Sequence, residues 1–142
     1  MPVALGVFLL VAKLLDALTD VQLLALLLHG EARGESPAGM VAVAHVIVNR
    51  VGRRTWYGSS LRDVILKPWQ FSYFNELSAV PRVDNSCSVI AELVLGGLTV
   101  DASQGATHYW SRTILKTPPA WAADMIETVR LGGHVFCKAK GE

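Results

Sequence analysis

The sequence predicts a mainly α domain with a minor β or irregular lobe, and three observations carry that prediction. Long apolar runs in the first half begin at helix-capping signals and end at glycines. The second half is richer in aromatic, glycine and proline residues and reads as loops, short extended pieces and a terminal "HVFC" strand or turn. The chain has 142 residues, 51% apolar and 18% charged, which suits one domain with a real core and excludes disorder.

The elements follow in order. The N-terminal "MPVALGVFLLVAKLLDAL" is apolar from Val3 to Ala12, but Lys13 and Asp16 interrupt it before the ~20 residues a membrane span requires. Residues 1–18 are therefore read as an apolar helix that packs on the domain or serves as an export or membrane-association segment. Residues 19–142 form the main domain. In "LTDVQLL", Thr19 and Gln22 make a capping box, and Leu18 and Leu23 a hydrophobic staple. The helix they open is apolar on nearly every side from Val21 to Leu28, a pattern that calls for burial all round. Gly34 stops it, so Glu31 falls in its last turn. Ser36-Pro37 caps and starts the next helix, which runs to about Val51. Ser59-Ser60 leads into the short "LRDVIL" helix, ended by Pro68. The stretch "WQFSYFNELSAVPRVDN" reads as irregular, Ser86 as the cap of "CSVIAELVLGG", and a last helix is expected from about Pro119.

A net charge of +1 gives no general argument for nucleic acid as a partner. Local basic character is confined to Arg50, Arg53, Arg54, Arg62 and Lys67, either a solvated face or a rim that attracts an acidic polymer. Cys87 and Cys137 lie far apart in no CxxC pairing, which speaks against a zinc site; they are either one disulfide or two small hydrophobes.

Among candidate chemical groups, Glu31 stands out. A carboxylate at the end of a buried helix is disfavoured by desolvation and by the negative end of the helix dipole, and both raise its pKa toward that of a general acid. An ion pair with Arg33 or Arg50 is the equal alternative. Glu35, beyond Gly34, is expected to be more exposed. The "HGE" triplet matches half of a zinc deaminase signature, but Pro-Cys-x-x-Cys is missing, as are HExxH and GxSxG. His45 reads as a satisfied core histidine, and no metal or other cofactor is expected. Trp69, Phe71, Tyr73, Phe74, Tyr109, Trp110 and Trp121, interleaved with Gln70, Ser72, Asn75 and His108, form either a sugar-stacking cleft or a satellite core.

Four segments then resemble, in the same order, the spore-cortex-lytic (SleB-like) family of cell-wall hydrolases: "HGEARGESPAGMVAVAHVIVNRV", "KPWQFSYFN", "GATHYW" and "PPAWAADM" with "LGGHVFC". The chain departs from the family's pattern at Trp110, where another histidine is common, and at Cys137, where a tyrosine is. The resemblance implies a lysozyme-like α+β fold. It also implies cleavage of the β-1,4 bond between N-acetylmuramic acid and N-acetylglucosamine by lytic transglycosylation, with Glu31 as acid and base. Peptidoglycan glycan strands are the expected partner, and Glu35, Trp69, Gln70, Phe71, Ser72, His108, Tyr109 and Trp121 the expected substrate contacts. A muramidase, a silent wall-binding or virion domain and a small membrane-active lysis factor are the competing readings. A monomer acting on the wall is expected, as a bacterial enzyme or as a phage endolysin stored in the host cytoplasm before release.

Overall fold

The computed structural model describes residues 5–67, 71, 77 and 79–142. Helices α1 (Leu5–Asp16), α2 (Asp20–Ala32), α3 (Pro37–Arg50), α4 (Leu61–Leu66) and α5 (Asn85–Leu95) precede a three-stranded antiparallel sheet. Its strands are β1 (His108–Ser111), β2 (Met125–Leu131) and β3 (His134–Ala139), in the order β1-β3-β2. The fold is α+β and mainly α, as the sequence predicts.

The all-apolar helix is the centre of the molecule. Leu23, Leu24, Leu26, Leu27 and Leu28 of α2 are fully buried, and α3, α4 and α5 pack around them. Replacing one of these leucines by alanine costs about 2–5 kcal/mol in a core that cannot collapse around the gap. The capping box is present as read: the Gln22 amide donates to Thr19 Oγ1 at 3.2 Å, and the Thr19 amide to Gln22 Oε1 at 2.9 Å. Ser36 accepts from the Gly39 amide with Pro37 in the first turn, and Ser60 caps α4. Helix α1 docks through Val11 and Leu15, and the Arg62 guanidinium donates to the carbonyls of Leu15 and Leu18 just where that helix runs out of its own donors. Its other face leaves Leu9, Leu10 and Leu14 exposed. Among the described residues no helix is long and apolar enough to cross a membrane.

Two boundaries differ from the sequence reading. The N-cap of α5 is Asp84, not Ser86, and its side chain makes no capping hydrogen bond. The helix expected from Pro119 is only a 3-10 turn, Ala120–Asp124, after which "MIETVRL" is strand β2. Ile126, Thr128 and Val129 are β-branched, and pairing with the buried β3 outweighs the weak helical tendency of the preceding alanines. Paired Gly96 and Gly97 end α5 in a Schellman motif: the Leu98 amide bonds the Leu93 carbonyl and the Gly97 amide that of Val94. Cys87 and Cys137 are both free and buried, so they act as small hydrophobes. Pro68, Trp69, Gln70, Ser72, Tyr73, Phe74 and Asn75 lie outside the described residues.

Candidate active site

Glu31 is brought to a cavity of about 630 Å3 by the end of α2. Arg50 from α3, Phe71, His108 and Tyr109 from β1, Trp121 and Asp124 from the 3-10 turn, Met125 and Ala139 complete its lining. Helix and sheet thus supply opposite halves of one site. Burial pushes the Glu31 carboxyl above its ordinary value, against the Tyr109 hydroxyl, whose hydrogen bond favours the ionised form. The tyrosine is itself raised by burial and by the Glu31 charge, so it stays protonated and can donate. Among the described residues the ion pair is Arg130–Glu127, and Glu35 lies against the His134 ring, which burial shifts below its ordinary value; neither contact involves Glu31. Of the two readings of Glu31, the structure therefore shows the raised carboxyl and not the ion pair.

The sheet half is held in place by the last two residues of α3. Asn49 Nδ2 donates to Asp101 Oδ2 and to the Ala106 carbonyl, each at 2.9 Å, while Arg50 Nε donates to the Thr107 carbonyl at 2.6 Å. Asp101 in turn accepts from the amides of Ser103 and Gly105 and from the Ser103 hydroxyl. Burial would raise Asp101, but these bonds and that from Asn49 outweigh it and hold the carboxyl below its ordinary value. The loop 101–107 is consequently fixed to α3, and His108 and Tyr109 leave it directly into β1. Arg50 is 5% exposed, and its guanidinium lies 5.8 Å from the Tyr57 ring centroid and 5.5 Å from that of Phe71.

His108 is pushed down to about 4, by burial first and by the Arg50 charge second, with Glu142 opposing. It is a neutral ring at neutral pH, bonded through Nδ1 to Thr107 Oγ1 at 3.0 Å and tilted against Trp121 with centroids 5.4 Å apart. The Cys137 thiol is pushed up to about 11 by burial, leaving no thiolate nucleophile near neutral pH.

Glu31, Phe71, His108, Tyr109 and Trp121 converge as the expected set, whereas Glu35 does not line this cavity. Both glutamates are partly exposed; the Glu35 side chain is 20% exposed and turns toward the β2–β3 hairpin, with Oε1 3.4 Å from His134 Nδ1. A Cβ on Gly132, whose φ is +55°, would sit 2.6 Å from Glu35 Oε2. The hairpin glycine is needed both for the turn and for the carboxylate beside it. His134 packs edge-on to Tyr109, centroids 5.0 Å apart, so Glu35 supports the Glu31 site from behind. Asp124 and Asn49 carried no sequence signal of their own; the Asn-Arg ending of the first motif was the one available hint for Asn49. His45 bonds Thr99 Oγ1 at 2.8 Å, and no cluster of three metal-ligating side chains occurs among the described residues.

A family profile described as Cell Wall Hydrolase matches residues 34–137, beginning just after Glu31. The spore cortex-lytic enzyme of Halalkalibacterium halodurans is 34% identical over 118 residues, 83% of this chain and 34% of that protein. That of Bacillus subtilis is 32% identical over 120 residues, covering 84% and 37%. The chain thus spans about a third of the length of these curated relatives. The crystal structure of the catalytic domain of the Bacillus cereus SleB protein superimposes with a TM-score of 0.70 at 28% identity, covering 84% of this chain and 89% of that one. The catalytic domain of the germination-specific lytic transglycosylase SleB from Bacillus anthracis gives a TM-score of 0.70 at 26% identity, covering 87% and 98%.

Proposed function

Since the chain belongs to the cell wall hydrolase family, we propose that it cleaves the glycan backbone of peptidoglycan, with Glu31 as the acid and base of a lytic transglycosylation. The observation that carries this reading is one carboxyl raised by burial in a cavity walled by Phe71, His108, Tyr109 and Trp121. Aromatic faces stack on sugar rings, and a neutral carboxyl can protonate a glycosidic oxygen. The bond in question is the β-1,4 linkage from N-acetylmuramic acid to N-acetylglucosamine, and the place of action is the wall.

The step balances without water. Glu31 gives its proton to the bridging oxygen, and the C1–O bond breaks toward an oxocarbenium-like sugar. The muramyl C6 hydroxyl then bonds to C1, and its proton returns to the Glu31 carboxylate. Tyr109 stabilises the carboxylate in between by donating its hydroxyl proton in a hydrogen bond. Glu35 and His134 hold Tyr109 in place rather than touching substrate. That the Bacillus anthracis neighbour is a lytic transglycosylase supports this outcome. The relatives named above are bacterial and give no support to a phage role.

A hydrolytic outcome is favoured by one observation: Asp124 shares the cavity with Glu31 and could activate water as the second carboxylate of a muramidase. Mass analysis of the soluble fragments from purified peptidoglycan decides between them. Products one water lighter than muramidase fragments are expected, with Asp124→Asn retaining activity within a few-fold. Reducing muramic-acid ends, with Asp124→Asn lowering the rate about 100-fold or more, would replace the transglycosylase by a hydrolase. No soluble product at all would sink the enzyme reading.

A further inference from the structure

The basic cluster singled out in the sequence is divided by the fold. Arg50 is enclosed in the wall of the Glu31 cavity, Arg53 donates to the Gly105 carbonyl at 3.3 Å, and Arg62 is occupied by the end of α1. Arg54 and Lys67 remain, and both line a second cavity of about 790 Å3, larger than the one at Glu31. Trp56 lines it too, is 61% exposed, and carries the Arg54 guanidinium 5.6 Å from its ring centroid. One exposed indole alone means little.

This one is the end of a row. Trp56 stands 6.0 Å from Tyr57, Tyr57 5.8 Å from His108 and His108 5.4 Å from Trp121, centroid to centroid. His108 and Trp121 line the Glu31 cavity, and Tyr57 lines the second one, fixed by its hydroxyl donating to Glu142 Oε1 at 3.0 Å. The two cavities therefore share a wall one or two rings thick. Asp16 and Asp63 also line the second cavity, Asp63 accepting from the Ser59 hydroxyl at 3.1 Å, so with Arg54, Arg62 and Lys67 the lining carries three cations against two carboxylates, a small excess that favours an anion.

We propose that this cavity binds a further stretch of the same glycan strand, with Trp56 stacked on a sugar ring and Arg54 and Lys67 meeting a carboxylate that the strand's stem carries. The site rests on the reading of the Glu31 cavity as the place where the strand is cut. A planar guanidinium resting on one face of the indole can bond a carboxylate side-on and leaves the opposite face of the exposed ring for a sugar. A polymer long enough to reach both cavities gains from the second, and a fragment filling only the first does not.

Two measurements test this separately. Pelleting of Glu31→Gln protein with purified peptidoglycan reads binding without cleavage; adding Trp56→Ala, or Arg54→Gln with Lys67→Gln, is expected to weaken it about tenfold. The charge pair should matter less in high salt and on strands stripped of stem peptides. In the Glu31 background, Trp56→Ala should lower kcat/KM on long strands about tenfold more than on a tetrasaccharide. Equal binding and an equal ratio in the Trp56→Ala protein, with its melting temperature unchanged, would overturn the second site and leave the enzyme reading standing. Wild-type protein that releases no fragment but loses wall binding on Trp56→Ala would keep the second site and sink the enzyme reading.

Discussion

Glu31 and Glu35 sit four residues apart around the end of α2, and their surroundings could hardly differ more. Glu31 faces an open cavity across which the sheet presents Tyr109; Glu35 is enclosed by Gly132, Gly133 and His134. The first is a carboxyl with space for a substrate, the second a carboxyl held close against a hairpin. On the proposed mechanism these two residues of one type in one motif divide into chemistry and support, and the division follows what the β2–β3 hairpin covers.

Substitutions at the two positions should separate accordingly. The largest effect is expected for Glu31→Gln, which removes the transferable proton and should lower kcat on peptidoglycan about 100- to 10,000-fold with circular dichroism unchanged. The same variant carries a stability signature. Because the folded-state pKa of Glu31 is raised, the native state resists its ionisation, and the stability it contributes is present below the unfolded value near 4.5 and lost as pH rises through the higher folded value. The melting temperature of Glu31→Gln should therefore exceed that of the wild type at pH 7 and match it at pH 4. Wild-type activity should decline on the alkaline side as Glu31 ionises, and that limb should be absent if Glu31 is not the acid.

Next in size is Gly132→Ala, where a methyl group would meet the Glu35 carboxylate at a positive φ. A loss of about 2–3 kcal/mol in denaturant unfolding is expected, with residual activity in the folded fraction. An unchanged midpoint would mean that the hairpin does not clasp Glu35. Asn49→Ala should cost about 1–2 kcal/mol by freeing Asp101 and the Ala106 carbonyl. Asp101 is held below its ordinary value, so its contribution is present above the unfolded pKa of about 3.8 and fades as pH falls through the folded value; the gap between wild type and Asn49→Ala should narrow in acid. The smallest effect is expected for Glu35→Gln, about 1 kcal/mol of stability and a few-fold in kcat. A loss of kcat as large as that of Glu31→Gln, with the fold intact, would return Glu35 to the chemistry.

What the sequence made legible follows from range. The capping box at Thr19 and Gln22, the Ser36-Pro37 start and the burial of α2 are local facts, written in residues a few positions apart. The raised carboxyl of Glu31 was legible for the same reason, since helix end and apolar run are both in the adjacent chain. The place of Glu35 was not, because Gly132 and His134 lie about a hundred residues away and declare no carboxylate partner. Asp124 stayed unread because the expected helix after Pro119 would have turned it elsewhere; only the pairing of β2 with β3 stops the chain in a single 3-10 turn and leaves it in the cavity wall. The basic cluster was visible as composition, but how the fold shares it among four tasks was not.

The grip of Asn49 and Arg50 has one more consequence. Two of its four contacts fall on main-chain carbonyls, at Ala106 and Thr107, and every amino acid has a carbonyl. That half of the hold does not depend on which side chains it passes over, but it depends on their number. Ser103 and Thr107 add their own hydroxyl bonds and burial to that hold, so inserting or deleting a single residue between Asp101 and His108 would shift His108 and Tyr109 out of step with Glu31.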